Sequence, residues 1–340
     1  AIPEASCYVT YMNEPLSGAI PVIFPKFLRT PEQAITAGEP DKYCDVLINL
    51  PVFKNHQSAG MTLSIKNYYG LAGEAAYAGW GWNRGLHAWG GDYFTNRDYL
   101  DEFLIAQSRA RPSDLVILDA LTGNRSGPVN LYTGLHDPVD YITPNAVFAA
   151  TDQVAIDTVL TLLAGYQPES VAMLALGHND GLGIGDPKWI HVKGFDAFTA
   201  FRDSLAVNFP TQYPFPDPYP DPSYWSGSDD VANFSDFTAP TGVTVSSPGR
   251  VGGTVYEFSY TAEDADSGLI RIELVIDGVL VTAQTSGIAS PGAIQQDMSS
   301  YMDTGWHEAQ IAAWDQRLNC TLSDPVAFNL STAASNWESY

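Results

Sequence analysis

Lys54, His56 and Lys66 fall within one short stretch, PVFKNHQSAGMTLSIKNYYG, in a chain that holds only 16 basic residues against 39 acidic ones. Scarce positive charge gathered in one place suggests a negative ligand. Lys54 and His56 follow the apolar run DVLINLPVF, which reads as a buried strand, and a helix is expected from near Ala59. In open α/β sheets ligands bind beyond the carboxyl ends of the strands, and a helix N-terminus there offers free N–H groups to an anion. Thr62 and Lys66, four apart, share one helical face, with Asn67 adjacent. The two lysines are therefore expected to flank one ligand, Lys66 neutralising its charge while His56 moves a proton.

Two further runs bring carboxylates to the same relative position. Asp119 closes DLVILD, and Asp152 closes NAVFAATD ahead of a helix that carries Asp157. If the three strands are parallel neighbours, Lys54, His56, Asp119 and Asp152 converge at one sheet edge, as a proton-transfer or metal site requires. Plainer roles fit some of these residues as well. Asp152 suits a helix N-cap as well as it suits a ligand. Asp157 reads as a structural hydrogen-bonding group, and Lys54 with His56 also suits a solvated turn.

The elements that would position these groups alternate. From Asp45 to about Gly194, short apolar runs exchange with the helical patterns MTLSIKNYYGL, RDYLDEFLIAQSRAR and QVAIDTVLTLLAGY. That alternation predicts an α/β domain with a largely parallel sheet, within residues 1–208. Prolines then recur through FPTQYPFPDPYPDPSYWSGSDD, where fixed φ and missing donors exclude helix and inner strand, so 209–235 is read as an extended linker. Beyond it VTVSS, TVYEFSYTAED, LIRIELVIDGVLV and HEAQIAAWD alternate apolar and polar residues between turn signals such as DSG and DGV. Residues 236–340 are accordingly expected to form an antiparallel β-sandwich.

Bulk properties limit the partners. The 340 residues are 45% hydrophobic, enough for two cores, and the net charge of -23 repels nucleic acid and anionic lipid. No apolar run reaches the roughly 20 residues of a membrane-spanning helix. The opening AIPEASCYVT does not read as a signal peptide, so a leader is expected upstream of Ala1. Cys7, Cys44 and Cys320 lack the spacing of a zinc or iron-sulfur site; a Cys7–Cys44 disulfide and free thiols both remain open.

With these motifs in view, the chain resembles two known groups. DVLINLPVFKNHQSAGMTLSIKNYYG, DLVILDALTGNRSGPV and AVFAATDQVAIDTVLTLLAGY are similar to three ordered motifs of the family called domain of unknown function 362. The resemblance carries Lys54, His56, Thr62, Lys66, Asn67 and Gly70 in the first motif, with His87 after it. Asp119, Gly127 and Pro128 fall in the second, and Asp152, Ala155 and Asp157 in the third. It implies no particular reaction. Many relatives add a cysteine-rich iron-sulfur module, whose motifs this chain lacks, and they carry a longer region before the first motif. DFTAPTGVTV, DADSGL, ELVIDGVLV and TGWHEAQIAAWDQRLN resemble immunoglobulin-like modules of bacterial surface and secreted proteins, which implies export.

Fainter signals remain. HNDGLGIGDP lacks the strand-loop-helix context of a dinucleotide site and reads as a tight turn, with His178 and Asp180 peripheral. Trp80, Trp82 and Trp89 suggest an aromatic flap or simple packing. Asp264, Asp266 and the region of Asp303 invite calcium, but one DxDSG turn falls short of a ligand set and reads as a solvated loop. Two functions follow. One is an exported enzyme or binding protein holding a small anionic or metal-bound ligand at Lys54, His56, Lys66 and Asp119, with Thr62, Asn67, His87 and Asp152 around it; the metal is unassigned. The other is a cell-surface structural protein whose α/β domain is inactive and whose sandwich binds protein partners or itself.

Overall fold

The structure, a computed structural model, describes residues 7–14, 18–56, 59–71, 97–125, 141–193, 208, 236, 238–300 and 304–330. They fall into two compact units, the first running to Ser235, the second from Asp236 and including the short turn Pro187–Trp189.

The first unit opens with an antiparallel hairpin, β1 (Cys7–Glu14) and β2 (Gly18–Pro25), which the sequence reading did not anticipate. Helix α1 (Pro31–Thr36) follows, started by a capping box in which Thr30 accepts from the Gln33 N–H and Gln33 returns the bond. DVLINLPVF is split into β3 (Ile48–Asn49) and β4 (Val52–His56), so Lys54 and His56 lie within a strand and not beyond its end. Then come β5 (Gly60–Met61), the four-residue helix α2 (Ser64–Asn67) and a 3-10 turn, Tyr68–Leu71. The expected long helix over this stretch is not formed. Helix α3 (Arg97–Ala110) leads to β6 (Leu115–Asn124), β7 (Tyr141–Ile142), β8 (Ala146–Ala150), α4 (Gln153–Leu163) and α5 (Ala172–Asn179).

β6 is the axis of the sheet. Along one edge it pairs in parallel with β3 and β4; along the other it pairs antiparallel with β7 and β8. The sheet is therefore mixed, which corrects the expectation of largely parallel strands. Val116, Leu118 and Ala120 of β6 are buried, while Asp119 faces the other way beside Val52 and Val147. The hairpin packs on α3: Ile20, Val22, Phe24, Tyr68, Phe103 and Ala106 belong to one core cluster.

The second unit contains β9 (Thr241–Val245), β10 (Gly249–Gly252), β11 (Val255–Glu263), β12 (Leu269–Ile276), β13 (Val279–Gln284), β14 (Gly292–Asp297), β15 (Gly305–Asp315), β16 (Cys320–Leu322) and β17 (Val326–Leu330). One sheet holds β9, β10, β11 and β14, the other β12, β13, β15, β16 and β17, and every pairing is antiparallel. The period-two pattern of β11 buries Tyr256, Phe258, Tyr260 and Ala262, which join Leu274, Ile311 and Phe328 of the other sheet in one core. Asp277 and Gly278, both at positive φ, form the tight β12–β13 turn signalled by DG. Inside the unit, Arg271 pairs with Glu273 at 2.9 Å and lies over Trp314, whose indole N–H donates to Glu273. Cys7, Cys44 and Cys320 form no disulfide with one another.

Candidate functional site

A helix of four residues does not hold together by its own hydrogen bonds. α2 is fixed from outside. The Asp157 carboxylate, from α4, accepts the Ser64 N–H at 2.8 Å and the Ile65 N–H at 2.9 Å. Asn49 donates to the Ser64 carbonyl at 2.8 Å, and Ser64 Oγ donates to the Gln153 carbonyl. The N–H groups that the sequence reading reserved for an anionic ligand are thus occupied by a side chain of the protein. Full burial pushes the Asp157 carboxyl up to about 7, against the pull of the two backbone N–H groups.

This clamp places Lys66 in the interior, only 4% exposed, with Nζ 3.8 Å from the centre of the Tyr69 ring. Burial lowers the Lys66 ammonium to about 7, opposed by the negative charge of Asp101 and reinforced by the positive charge of Lys54. Lys54 is itself shifted down by burial. The charge of Lys54 therefore reaches Lys66. Asp101, the acid that acts with them, was not foreseen.

The β4–β5 pairing brings further groups to the same place. Asn55 faces Met61, His56 faces Gly60, and the Thr62 N–H donates to the Lys54 carbonyl at 2.9 Å. Thr62 precedes α2 instead of sharing a helical face with Lys66. Its Oγ1 is buried without a hydrogen-bond partner. His56 is buried, and its Nδ1 accepts the Ala59 N–H at 3.3 Å. Asn67 is exposed and donates to Asn49 Oδ1 at 2.7 Å, a bond that ties α2 to β3.

The acids read from the other two strands lie elsewhere. Asp119 is exposed on the sheet face that also carries Val52, and its Oδ1 accepts the Leu121 N–H two residues on. Because β8 runs antiparallel, with Val116 opposite Ala150, Asp152 emerges at the edge where β6 begins. Lys54 sits near the other end of β6, opposite Asn124. Asp152 caps α4 through the Ala155 N–H at 2.9 Å and holds the Ile184 N–H at 2.9 Å. Of its two expected roles, the cap is the one present. His87, Gly127, Pro128, Asp303 and the three tryptophans of the flap lie outside the described residues. His178 accepts the Gly185 N–H, as expected for a tight turn.

The sequence carried no signal for Asp101. RDYLDEFLIAQSRA is polar enough for a surface helix, yet residues 100–108 of α3 are all buried, including Asp101, Glu102 and Gln107. Buried acids of this kind require partners. Among the described residues of the first unit, no three His, Cys, Asp or Glu side chains converge as a metal set would. The arrangement suits an anion held by paired ammonium groups beside a free hydroxyl, with one amine that exchanges its proton near neutrality.

Comparisons with known proteins agree with the motifs. The family described as Domain of unknown function (DUF362) matches residues 26–161. A thylakoid-associated protein of Synechocystis sp., sll1697, is 30% identical over 139 residues, which make up 41% of this chain and 38% of that protein. The chain thus spans well under half the length of this curated relative. Among solved structures, a fibronectin(III)-like module of Clostridium thermocellum CbhA aligns with 26% of this chain and 94% of its own, at 19% identity and a TM-score of 0.20. The spore cortex lytic enzyme SleM of Clostridium perfringens covers 52% of this chain and 76% of its own, at 14% identity and a TM-score of 0.23. Both scores are too low to assign a fold by similarity.

Proposed function

We propose that the first unit binds a small anionic ligand between Lys54, Lys66 and Thr62, with Lys66 as the group that gains or loses a proton. One observation carries this reading: Lys66 is buried and Lys54 half-buried, burial holds both amines below their ordinary ionisation, and the charge of Lys54 adds to the effect at Lys66. Like charges crowded away from water are costly, and an anion between them relieves both repulsion and desolvation. The buried Thr62 hydroxyl supplies a donor with no other use. Asp101 holds Lys66 partly charged in the absence of ligand. His56, on the same hairpin, is the second proton-carrying group. In keeping with the surface-protein motifs of the sequence, the second unit is read as an immunoglobulin-like sandwich, and the protein as exported or cell-surface.

Chemical labelling tests the site. A neutral amine reacts with acylating reagents and an ammonium does not, so labelling of Lys66, slowed by burial of its amine, should rise steeply as pH passes about 7. Inorganic phosphate, pyrophosphate and di- or tricarboxylates form the panel of probes. At least one should slow labelling of Lys66 and bind at least tenfold more weakly to Lys54→Met. Labelling of Lys66 that no anion in the panel changes would count against the proposal.

A further inference from the structure

Asp236, Asp264 and Asp315 come from three separated parts of the second unit, yet one carboxylate oxygen from each lies within 4.8 Å of the other two. Asp236 precedes β9, Asp264 follows β11, and Asp315 ends β15, where it pairs with Leu269 just beyond the Asp264 loop. Asp315 is fully buried and Asp236 is 6% exposed. Hydrogen bonds from the backbone fix each group through one oxygen. Asp236 Oδ1 accepts the Thr238 N–H, Asp264 Oδ1 accepts those of Ser267 and Gly268, and Asp315 Oδ1 accepts those of Arg317 and Asn319. The other oxygen of Asp236, Oδ2, is buried with no hydrogen-bond partner. Nothing in a folded core favours such an atom beside two other carboxylates unless a positive charge satisfies it.

We propose that Asp236, Asp264 and Asp315 bind one divalent cation of the calcium class. Oxygens bound at 2.3–2.6 Å on opposite sides of a calcium ion lie about 4.6–5.2 Å apart, so the observed separation allows all three to share one ion. The donor set is oxygen alone, without the sulfur or imidazole that zinc and copper favour. Asn319 gathers more oxygen at the same place: its amide donates to Asp315 Oδ2 at 2.6 Å and to the Thr238 carbonyl at 3.0 Å. Burial pushes the Asp315 carboxyl up to about 7, and the neighbouring charge of Asp236 adds to the shift. Such an ion would tie the start of the unit to two loops distant in sequence.

Calorimetric titration of the chelator-treated full chain with calcium chloride tests the site. About one ion per chain should bind and should raise the thermal transition of the second unit by several degrees. Asp264 is the least buried of the three, so Asp264→Asn should keep the ion-free transition while weakening calcium binding at least tenfold. Absence of uptake by the wild type at millimolar calcium would overturn the proposal, as would wild-type calcium affinity in both Asp264→Asn and Asp315→Asn. Magnesium bound in preference to calcium would overturn the assignment of the ion.

Discussion

Lys66 and Asp157 are two buried ionisable side chains shifted in opposite directions, and together they make a prediction about pH. The Lys66 amine is lowered from 10.5 to about 7, so its contribution to stability is present above 10.5 and lost as pH falls through about 7. Asp157 is raised from 3.8 to about 7, so its contribution is present below 3.8 and lost as pH rises through about 7. The first unit should therefore be least stable near neutrality, with the Lys66 share worth at most about 5 kcal/mol. Denaturant midpoints measured from pH 4 to pH 10 check this. Lys66→Met should remove the alkaline rise and leave the acid limb; a flat wild-type profile would mean neither charge is buried as described. At this scale the sequence was informative about the lysines, because charge was scarce and their spacing local. It was silent on Asp101, whose burial depends on how α3 is enclosed by the hairpin and α2.

Among the elements, α2 shows how a site can be legible while its mechanism of positioning is not. The stretch was readable as helical, but its N-terminus is satisfied by Asp157, which is 93 residues from Ser64. No local pattern reveals that the anion at this terminus belongs to the protein. Asp157→Ala would strand two buried N–H groups and should destabilise the first unit by about 3 kcal/mol. Asp157→Asn, which keeps an acceptor oxygen, should cost about 1 kcal/mol. Chemical denaturation of both variants measures the difference; equal losses would show that the hydrogen bonds contribute little. The direction of β8, by contrast, had a readable signal that the expectation of parallel strands passed over. Parallel neighbours need a crossover, most often a helix, and RSGPVNLYTGLHDPVD between β6 and β7 has glycine, proline and asparagine where helical periodicity would be needed. The β3 and β4 strands reach β6 through α3, and there the parallel reading holds.

For the molecule as a whole, the two units differ in how much of them could be read. The second has regular alternation, and its strands and the DG turn follow from pattern alone. Its three converging aspartates do not, because only Asp264 sits in a recognisable turn while its partners are far away in sequence. Asp266, which shares that turn, is exposed and stands outside the group. The first unit mixes local and distant pairings around a single strand, and this has a kinetic consequence. β8 follows β6 by about 20 residues in sequence, whereas β3 and β4 are separated from it by about 60, so closing the second gap costs more chain entropy. The antiparallel ladder should form first during refolding, and the strand bearing Lys54 and His56 should dock last. Pulse-labelled hydrogen exchange would then protect the amides of Phe148 and Leu118 before those of Lys54 and Thr62; the reverse order would place the nucleus on the other edge. The binding groups would thus be assembled on a scaffold already in place.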